Sequence, residues 1–258
     1  MVNIWICGGV TLACWLASVI VKEYSWTDRL WSVVPAVYAW VFAAHANDAR
    51  VTLVAVLITA WGARLTFNFA RRGGYAPGGE DYRWAVLRAR MPGCAYALFN
   101  FLFIALYQNV LLLLITLPMV TTADHPGSLG GADAVAAVVF AAFLVGETIA
   151  DQQRWSFHKD PHRKGVLTTG MYAYSRHPNY FFEISQWWVV FAFAAIAAGT
   201  VWLPTAAGAI LLTLLFIGST LFTESISIGR HPEYADYRRS TSMIIPLPRR
   251  RTREAVGA

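Results

Sequence analysis

Long apolar runs separated by short polar clusters extend along the whole chain. Each run is close to the ~20 residues that carry an α-helix across a bilayer. Seven are readable, at about 4–21, 30–47, 51–70, 95–119, 133–153, 180–199 and 201–222, and a polar tail follows over 223–258. The second contains Pro35 and ends at His45 and Asn47, whereas the fourth holds the unbroken run Val110 to Ile115. The pattern predicts an all-α membrane protein of seven transmembrane helices. It predicts one integral-membrane domain, 1–258, with no soluble module, repeat or low-complexity tract.

Composition agrees: 57% of the 258 residues are hydrophobic, 14% are charged and the mean hydropathy is +0.45. A soluble enzyme does not carry that balance. Charge adds an orientation. Lys22 and Arg29 follow the first run, Arg71 to Arg90 supply five arginines after the third, and Arg154 to Arg176 supply five basic residues after the fifth. The tail is rich in arginine, while the loops at 120–132 and near 200 carry neither Lys nor Arg and the 46–50 loop has Arg50 alone. Basic loops thus alternate with neutral ones, which predicts an outside N-terminus and a cytoplasmic C-terminus. Topology accounts for the basic residues, so no nucleic acid partner is expected. The first run lacks a positive leading segment and a small-residue cleavage site, and reads as a span rather than a signal peptide. Cys7 and Cys14 would lie about 10 Å apart along one helix, too far to bridge. No pair or cluster with Cys94 or any histidine has metal-ligand spacing, so no metal is expected.

Chemistry concentrates where polar residues meet the apolar runs, because burying such groups in a membrane is costly. Arg64, Asn68, Arg71 and Arg72 recur at three- and four-residue spacing and share one helical face. Arg64, inside its run, calls either for an anion or acidic partner or for snorkelling to the headgroups. Glu147 and Asp151 stand one turn apart near the end of the fifth run, with Arg154 a turn further; they could accept from ribose hydroxyls or pair with Arg64 or Arg176. The densest cluster is Ser175-Arg-His-Pro-Asn-Tyr-Phe-Phe-Glu183. Ser175 can cap a helix starting near Pro178, and that N-terminus beside Arg176 and His177 makes an anion site. Asn179 and Glu183 fall on one face of the same helix. The tail residues Glu224, Arg230, His231, Tyr234, Tyr237 and Arg238 could form a lid, with 249–258 disordered. The glycine-rich loop from Arg71 to Glu80 lacks Gly-Lys-Ser/Thr and no GxGxxG occurs, so any dinucleotide is held without a Rossmann unit.

The stretch Gly165 to Glu183, with Tyr174, Arg176, His177, Asn179 and Tyr180 inside it, resembles the steroid 5α-reductase superfamily and its bacterial membrane branch. So do Asp151-Gln-Gln-Arg-Trp-x-Phe-x-Lys159 and Ser25-Trp-Thr-Asp-Arg-Leu-Trp31. The resemblance spans all seven runs and the tail, specific in the C-terminal half and loose in the N-terminal half. It implies a seven-helix membrane fold, NADPH in a cytoplasmic-facing cavity, and hydride transfer to the β-carbon of an α,β-unsaturated ketone. It implies cofactor contacts from Asn179, Glu183 and Asp151, with Glu147 standing where the family carries asparagine. Arg64, Arg71 and Arg72 match its basic positions near the pyrophosphate and 2′-phosphate. Arg176, His231 and Tyr234 match across a tail whose spacing differs. Trp61 stands where the animal enzymes place a catalytic tyrosine, and tryptophan has no acidic proton to give. Asp28 and Tyr38 are the expected replacements for polarising the ketone, the alternative being that Asp28 pairs with Arg29 or Lys22 and Tyr38 only packs.

A membrane methyltransferase of the isoprenylcysteine or phospholipid type is the alternative reading, because such enzymes share the Arg-His-Pro-x-Tyr motif. The Asn179/Glu183 pair and the Asp151-Gln-Gln-Arg154 motif favour the reductase. The expected substrate is a lipophilic small molecule, a 3-oxo-Δ4 steroid or another lipid enone, reached from membrane lipid. An Ala- and Arg-rich composition, with the resemblance, points to a bacterial inner membrane.

Overall fold

The structure, a computed structural model, describes residues 1–250. Among them six helices are long and apolar enough to cross a membrane: Val2–Val21, Ala49–Arg71, Gly93–Asp124, Gly131–Lys159, Pro178–Ala198 and Pro204–Arg230. The protein is an all-α, multi-pass membrane protein. The run at 30–47 holds a shorter helix than a span requires. Its start is taken up by a turn, leaving Val34–Ala46, 13 residues, or about 20 Å against a hydrocarbon core of ~30 Å. The chain folds as two units, Met1–Val138 with Trp188–Leu211, and Val139–Trp187 with Leu212–Ala258.

In the first unit, α1 (Val2–Val21) turns its polar side inward. Its buried residues are Asn3, Cys7, Thr11, Cys14 and Ser18, spaced by four, four, three and four, so they form one stripe. Ile4, Trp5, Leu12, Val19 and Ile20 are exposed; on a transmembrane helix that face meets lipid tails. The helix ends at Lys22 in the left-handed region (φ 60°), whose N–H reaches the Ser18 carbonyl. A short α2 (Trp26–Leu30) leads to α3 (Val34–Ala46), which carries its proline in the first turn and stops at left-handed Asn47. Asp48 then caps α4 (Ala49–Arg71), accepting from the Arg50 and Val51 amides at 2.8 and 3.0 Å. Where α4 passes the 31–33 turn, a Cβ at Gly62 would fall 2.4 Å from the Ser32 carbonyl oxygen, so only glycine fits.

Gly73 (φ 81°) ends α4, and the following loop is clamped by Arg29 through the carbonyls of Gly74 and Ala76. After α5 (Tyr82–Arg90), the long span is built from α6 (Gly93–Phe99), a π-helical stretch Asn100–Tyr107 and α7 (Gln108–Leu114). Pro118 restarts it as α8 (Pro118–Asp124). Asn100 in that stretch and Gln108 and Asn109 at the start of α7 are buried in the interior. At the first unit's other pole Arg50 pairs with Asp133 at 2.6 Å, at the start of α9 (Gly131–Lys159).

In the second unit, the later part of α9 packs on the first turns of α10 (Pro178–Ala198). A Cβ at Gly146 would meet the Phe182 ring at 2.6 Å. A 3₁₀ turn, Gly170–Ala173, precedes α10 and is pinned when Gln153 Oε1 accepts from the Met171 amide at 2.9 Å. The seventh run, expected to end at 222, continues as helix α11 (Ala207–Arg230) to Arg230, which places Glu224 inside it. The tail forms α12 (Tyr234–Ser240) and then an extended segment. Arg249 donates to the Thr168 carbonyl at 2.7 Å and the Arg250 amide to that of Ser240 at 2.9 Å, so order reaches further than the expected break at 249. The rest of that expectation, 251–258, lies outside the described residues.

Candidate functional site

The motif around Arg176 is assembled in the second unit, and the tail holds it. Ser175 and Ser242 form a parallel bridge; the Arg176 and His177 amides donate to the carbonyls of Ser242 and Met243 at 2.9 and 3.1 Å. The Ser175 hydroxyl donates to the Ile244 carbonyl at 2.6 Å and accepts from the His177 amide at 3.2 Å. Ser175 therefore serves the turn ahead of α10, not the helix's first turn as the capping expectation had it.

At the centre of this cluster is Glu224, 1% exposed. Arg176 grips it with two parallel bonds, Nε to Oε1 at 2.6 Å and Nη2 to Oε2 at 3.1 Å. That is the fork geometry that makes arginine–carboxylate pairs strong. The Arg176 Nη1 group donates to the carbonyls of Thr241 and Arg238. Four of its five N–H bonds are thus used within the protein, which gives Arg176 a structural partner in place of the expected free anion. Tyr234 Oη donates to Glu224 Oε1 at 3.2 Å and Tyr237 Oη to the Tyr172 carbonyl at 2.5 Å. Burial, reinforced for Tyr234 by the Glu224 charge and for Tyr237 by Tyr172, raises both phenols, so they stay protonated donors. His177 Nε2 lies 3.2 Å from Glu224 Oε1. Burial lowers its pKa from 6.5, with Arg154 and Arg176 adding to the effect and Glu224 opposing it. The ring is therefore neutral near pH 7 and donates through Nε2. It stacks on Tyr180 at 5.3 Å between ring centres.

Beside this closed cluster runs a set of buried acceptors. Glu147 and Asp151 on α9 and Glu183 on α10 are all buried. Glu147 accepts from Gln186 Nε2 at 2.7 Å. Asn179 Oδ1 is buried with no hydrogen-bond partner among the described residues. Arg154 is half-buried. Two further expected site residues, Tyr174 and Lys159, are exposed, Lys159 lying over Trp155, and a third, His231, is part-exposed and faces Glu233 at 3.4 Å.

In the first unit, Arg71 donates twice to Asn68 Oδ1, at 3.0 and 2.7 Å, and Arg72 Nε to the Asn68 carbonyl at 3.3 Å. The expected shared face is therefore a bonded group centred on Asn68. Arg64 is half-buried on the same helix. Asp28 Oδ2 accepts from Trp84 Nε1 at 2.7 Å, while its neighbour Arg29 pairs with Glu23. Burial, then the nearby Asp81 charge, raises the Asp28 pKa against the pull of Arg83, Trp84 and Ser25. Tyr38 is wholly buried on α3. Trp61, at the expected tyrosine's place, is buried too.

Glu224 and Tyr237 were expected only as parts of a lid, not as the centre of a site, and Gln186 was not singled out in the sequence. The Tyr234-Ala-Asp-Tyr237 pattern, one turn beyond the end of α11 at Arg230, was the available signal for the first two. No group of three or more His, Cys, Asp or Glu among the described residues is arranged to hold a metal.

Residues 14–241 match the family described as Protein of unknown function (DUF1295), and the chain belongs to that family. It is 32% identical to the uncharacterized protein C594.04c of Schizosaccharomyces pombe (strain 972 / ATCC 24843), over 90% of this chain and 75% of that protein. No solved structure matches it.

Proposed function

We propose that this DUF1295 protein is an NADPH-dependent membrane reductase acting on an α,β-unsaturated ketone of a lipophilic substrate, a 3-oxo-Δ4 steroid or a related lipid enone. The observation that carries the proposal is the row of buried acceptors in the second unit, Glu147, Asp151, Asn179 and Glu183, inside a membrane bundle. Polar side chains are kept at such depth when they hold something. Carboxylates and an amide oxygen fit ribose hydroxyls and a carboxamide N–H, which are the donors a nicotinamide nucleotide presents. Arg64, Arg71 and Arg72 carry the positive charge that the resemblance assigns to its phosphates. The 5α-reductase-like motif from Ser175 to Glu183 supports the same reading. Seven spans, counting the short Val34–Ala46 helix as one, and an outside N-terminus are part of the proposal on the alternation of basic loops, and a bacterial inner membrane is part of it on the Ala- and Arg-rich composition and the resemblance.

NADPH, when bound, would supply the hydride for the β-carbon of the enone. Negative charge then develops on the carbonyl oxygen, and a proton donor there lowers the barrier. We assign that role to Asp28 on chemistry alone, since burial and Asp81 keep its proton on to a higher pH than an ordinary aspartate. As the α-carbon takes a proton from solvent, the enol O–H returns its proton to Asp28, which completes the saturated ketone and restores the acid. Arg176, His177 and Glu224 fix the start of α10 and so orient Asn179 and Glu183.

The test uses detergent-purified full-length protein, NADPH and progesterone, followed by absorbance and product analysis. Steroid-dependent NADPH loss with reduction of the ring double bond supports the reading. Binding of S-adenosylmethionine without binding of NADPH replaces it with the methyltransferase.

A further inference from the structure

The inward stripe of α1 meets an unusual partner surface. Three buried amides line it, Asn3 from α1 itself and Asn100 and Asn109 from the span Gly93–Asp124, and each donates an N–H to the protein. Asn3 Nδ2 donates to the Tyr38 carbonyl at 3.2 Å, Asn100 Nδ2 to Ser18 Oγ at 2.8 Å, and Asn109 Nδ2 to the Ala105 carbonyl at 2.7 Å. The acceptors fix which amide atom is which: Ser18 Oγ, for instance, already donates to the Trp15 carbonyl at 2.7 Å. The three carbonyl oxygens are left inside, buried and without a hydrogen-bond partner among the described residues.

The middle of the stripe is the focus. The Cys7 thiol donates to the Asn109 backbone carbonyl at 3.5 Å. The Tyr38 hydroxyl lies against the same thiol, and no nitrogen or oxygen among the described residues meets it. Cys14 lies two turns along the same stripe, and Asn109 Nδ2 also reaches Thr27 Oγ1 at 3.4 Å. Thr11 sits between the two cysteines, one turn from each, with its hydroxyl equally unpartnered. Tyr38 and Asn109 are 0% exposed and Thr11 7%. Leaving such groups unmatched is costly, and proteins rarely do it without a ligand or a bridging molecule.

We propose that this interior of the first unit binds the hydroxyl end of a neutral lipid, between Tyr38, Asn109 and Thr11. The donor count decides the class. Asn109 Oδ1 can only accept, so the ligand must donate; Tyr38 Oη–H can donate, so the ligand can also accept. One alcohol does both, whereas a ketone in its place leaves Asn109 Oδ1 unmatched. An ionised headgroup is disfavoured, because Asn109, Thr11, Tyr38 and the two thiols offer it no countercharge. Tyr38 on this account binds an alcohol and does not polarise the carbonyl of the reductase substrate. The inference does not depend on NADPH.

The experiment measures binding of a radiolabelled 3β-hydroxysteroid and of its 3-oxo counterpart to the full-length protein in detergent, with a straight-chain fatty alcohol as third probe. The alcohol of the steroid pair binds roughly tenfold or more tightly than the ketone, as expected when a buried acceptor loses its donor. Tyr38→Phe and Thr11→Val, which keep the volume, reduce that preference while NADPH affinity stays as in the wild type. Tight binding of the fatty alcohol with the same dependence on Tyr38 supports the hydroxyl site and widens its ligands beyond ring systems. Equal affinity for alcohol and ketone, or a preference unchanged in both variants, overturns the proposal and leaves these atoms to water. A protein that ignores NADPH yet selects the alcohol keeps this inference and loses the reductase.

Discussion

Two clusters, one around α1 in the first unit and one around Glu224 in the second, bury polar groups in opposite ways. In the second, a full charge pair lies at the interior and is closed by protein: Arg176 takes Glu224 with both oxygens, and the tail carbonyls take most of what remains. In the first, the buried groups around α1 are neutral and incompletely matched: Tyr38, Thr11 and Asn109 each keep an atom unpartnered among the described residues. A closed ionic network fixes geometry and leaves little for a ligand. An open neutral one retains hydrogen-bonding capacity for something that arrives. Motif density alone pointed to Arg176 as the binding residue; its partners show that it organises the residues beside it.

The sharpest way to break this contrast is Glu224→Gln. It leaves the Arg176 charge buried without its counterion, which costs about 3–5 kcal/mol. We expect a large fall in the denaturation midpoint in detergent, together with proteolytic cleavage in the tail beyond 240. The double change Arg176→Met with Glu224→Leu should recover most of it, because an apolar pair removes the stranded charge. A Glu224→Gln protein as stable as the wild type would mean the pair is not closed as described.

An intermediate effect is expected from pH. His177 is held neutral, its folded pKa lying below 6.5 chiefly through burial. The unfolded chain therefore binds the proton more readily, and stability rises with pH through that window. It is fully present above about 6.5 and is lost as pH falls through the lower folded value. Denaturation midpoints between pH 7.5 and 5 should fall more in the wild type than in His177→Gln. Parallel curves would remove His177 from the closed cluster.

The smallest change should come from Tyr38→Phe. Removing a buried hydroxyl that lacks a partner is close to neutral, within about 1 kcal/mol either way. A loss comparable to that of Glu224→Gln would show that the Tyr38 hydroxyl is structurally bonded and the first unit's interior closed.

Much of this was legible in the chain. Apolar runs gave the helices because bilayer thickness sets their length, and helix α10 begins at Pro178 where the Ser175–Pro178 signal put it. The Val34–Ala46 helix was overestimated because hydropathy does not register that the 31–33 turn consumes the run's start. The continuation of α11 to Arg230 was missed for the converse reason. Glu224 lowers hydropathy, yet the helix persists because a buried arginine 48 residues earlier takes its charge. The α1 stripe was readable as a period, but its cysteines, threonine and serine are small enough to pass as membrane packing. Only the position of Tyr38 and Asn109 against it reveals unmatched atoms.

The most direct test of the reductase account is NADPH binding by Asn179→Leu, measured by fluorescence titration beside the wild type after confirming equal denaturation midpoints. The account expects wild-type protein to bind and the variant to lose roughly tenfold or more in affinity, as when a buried hydrogen bond to a ligand is removed. Equal affinity in the two proteins, or no NADPH binding by the wild type, would contradict it.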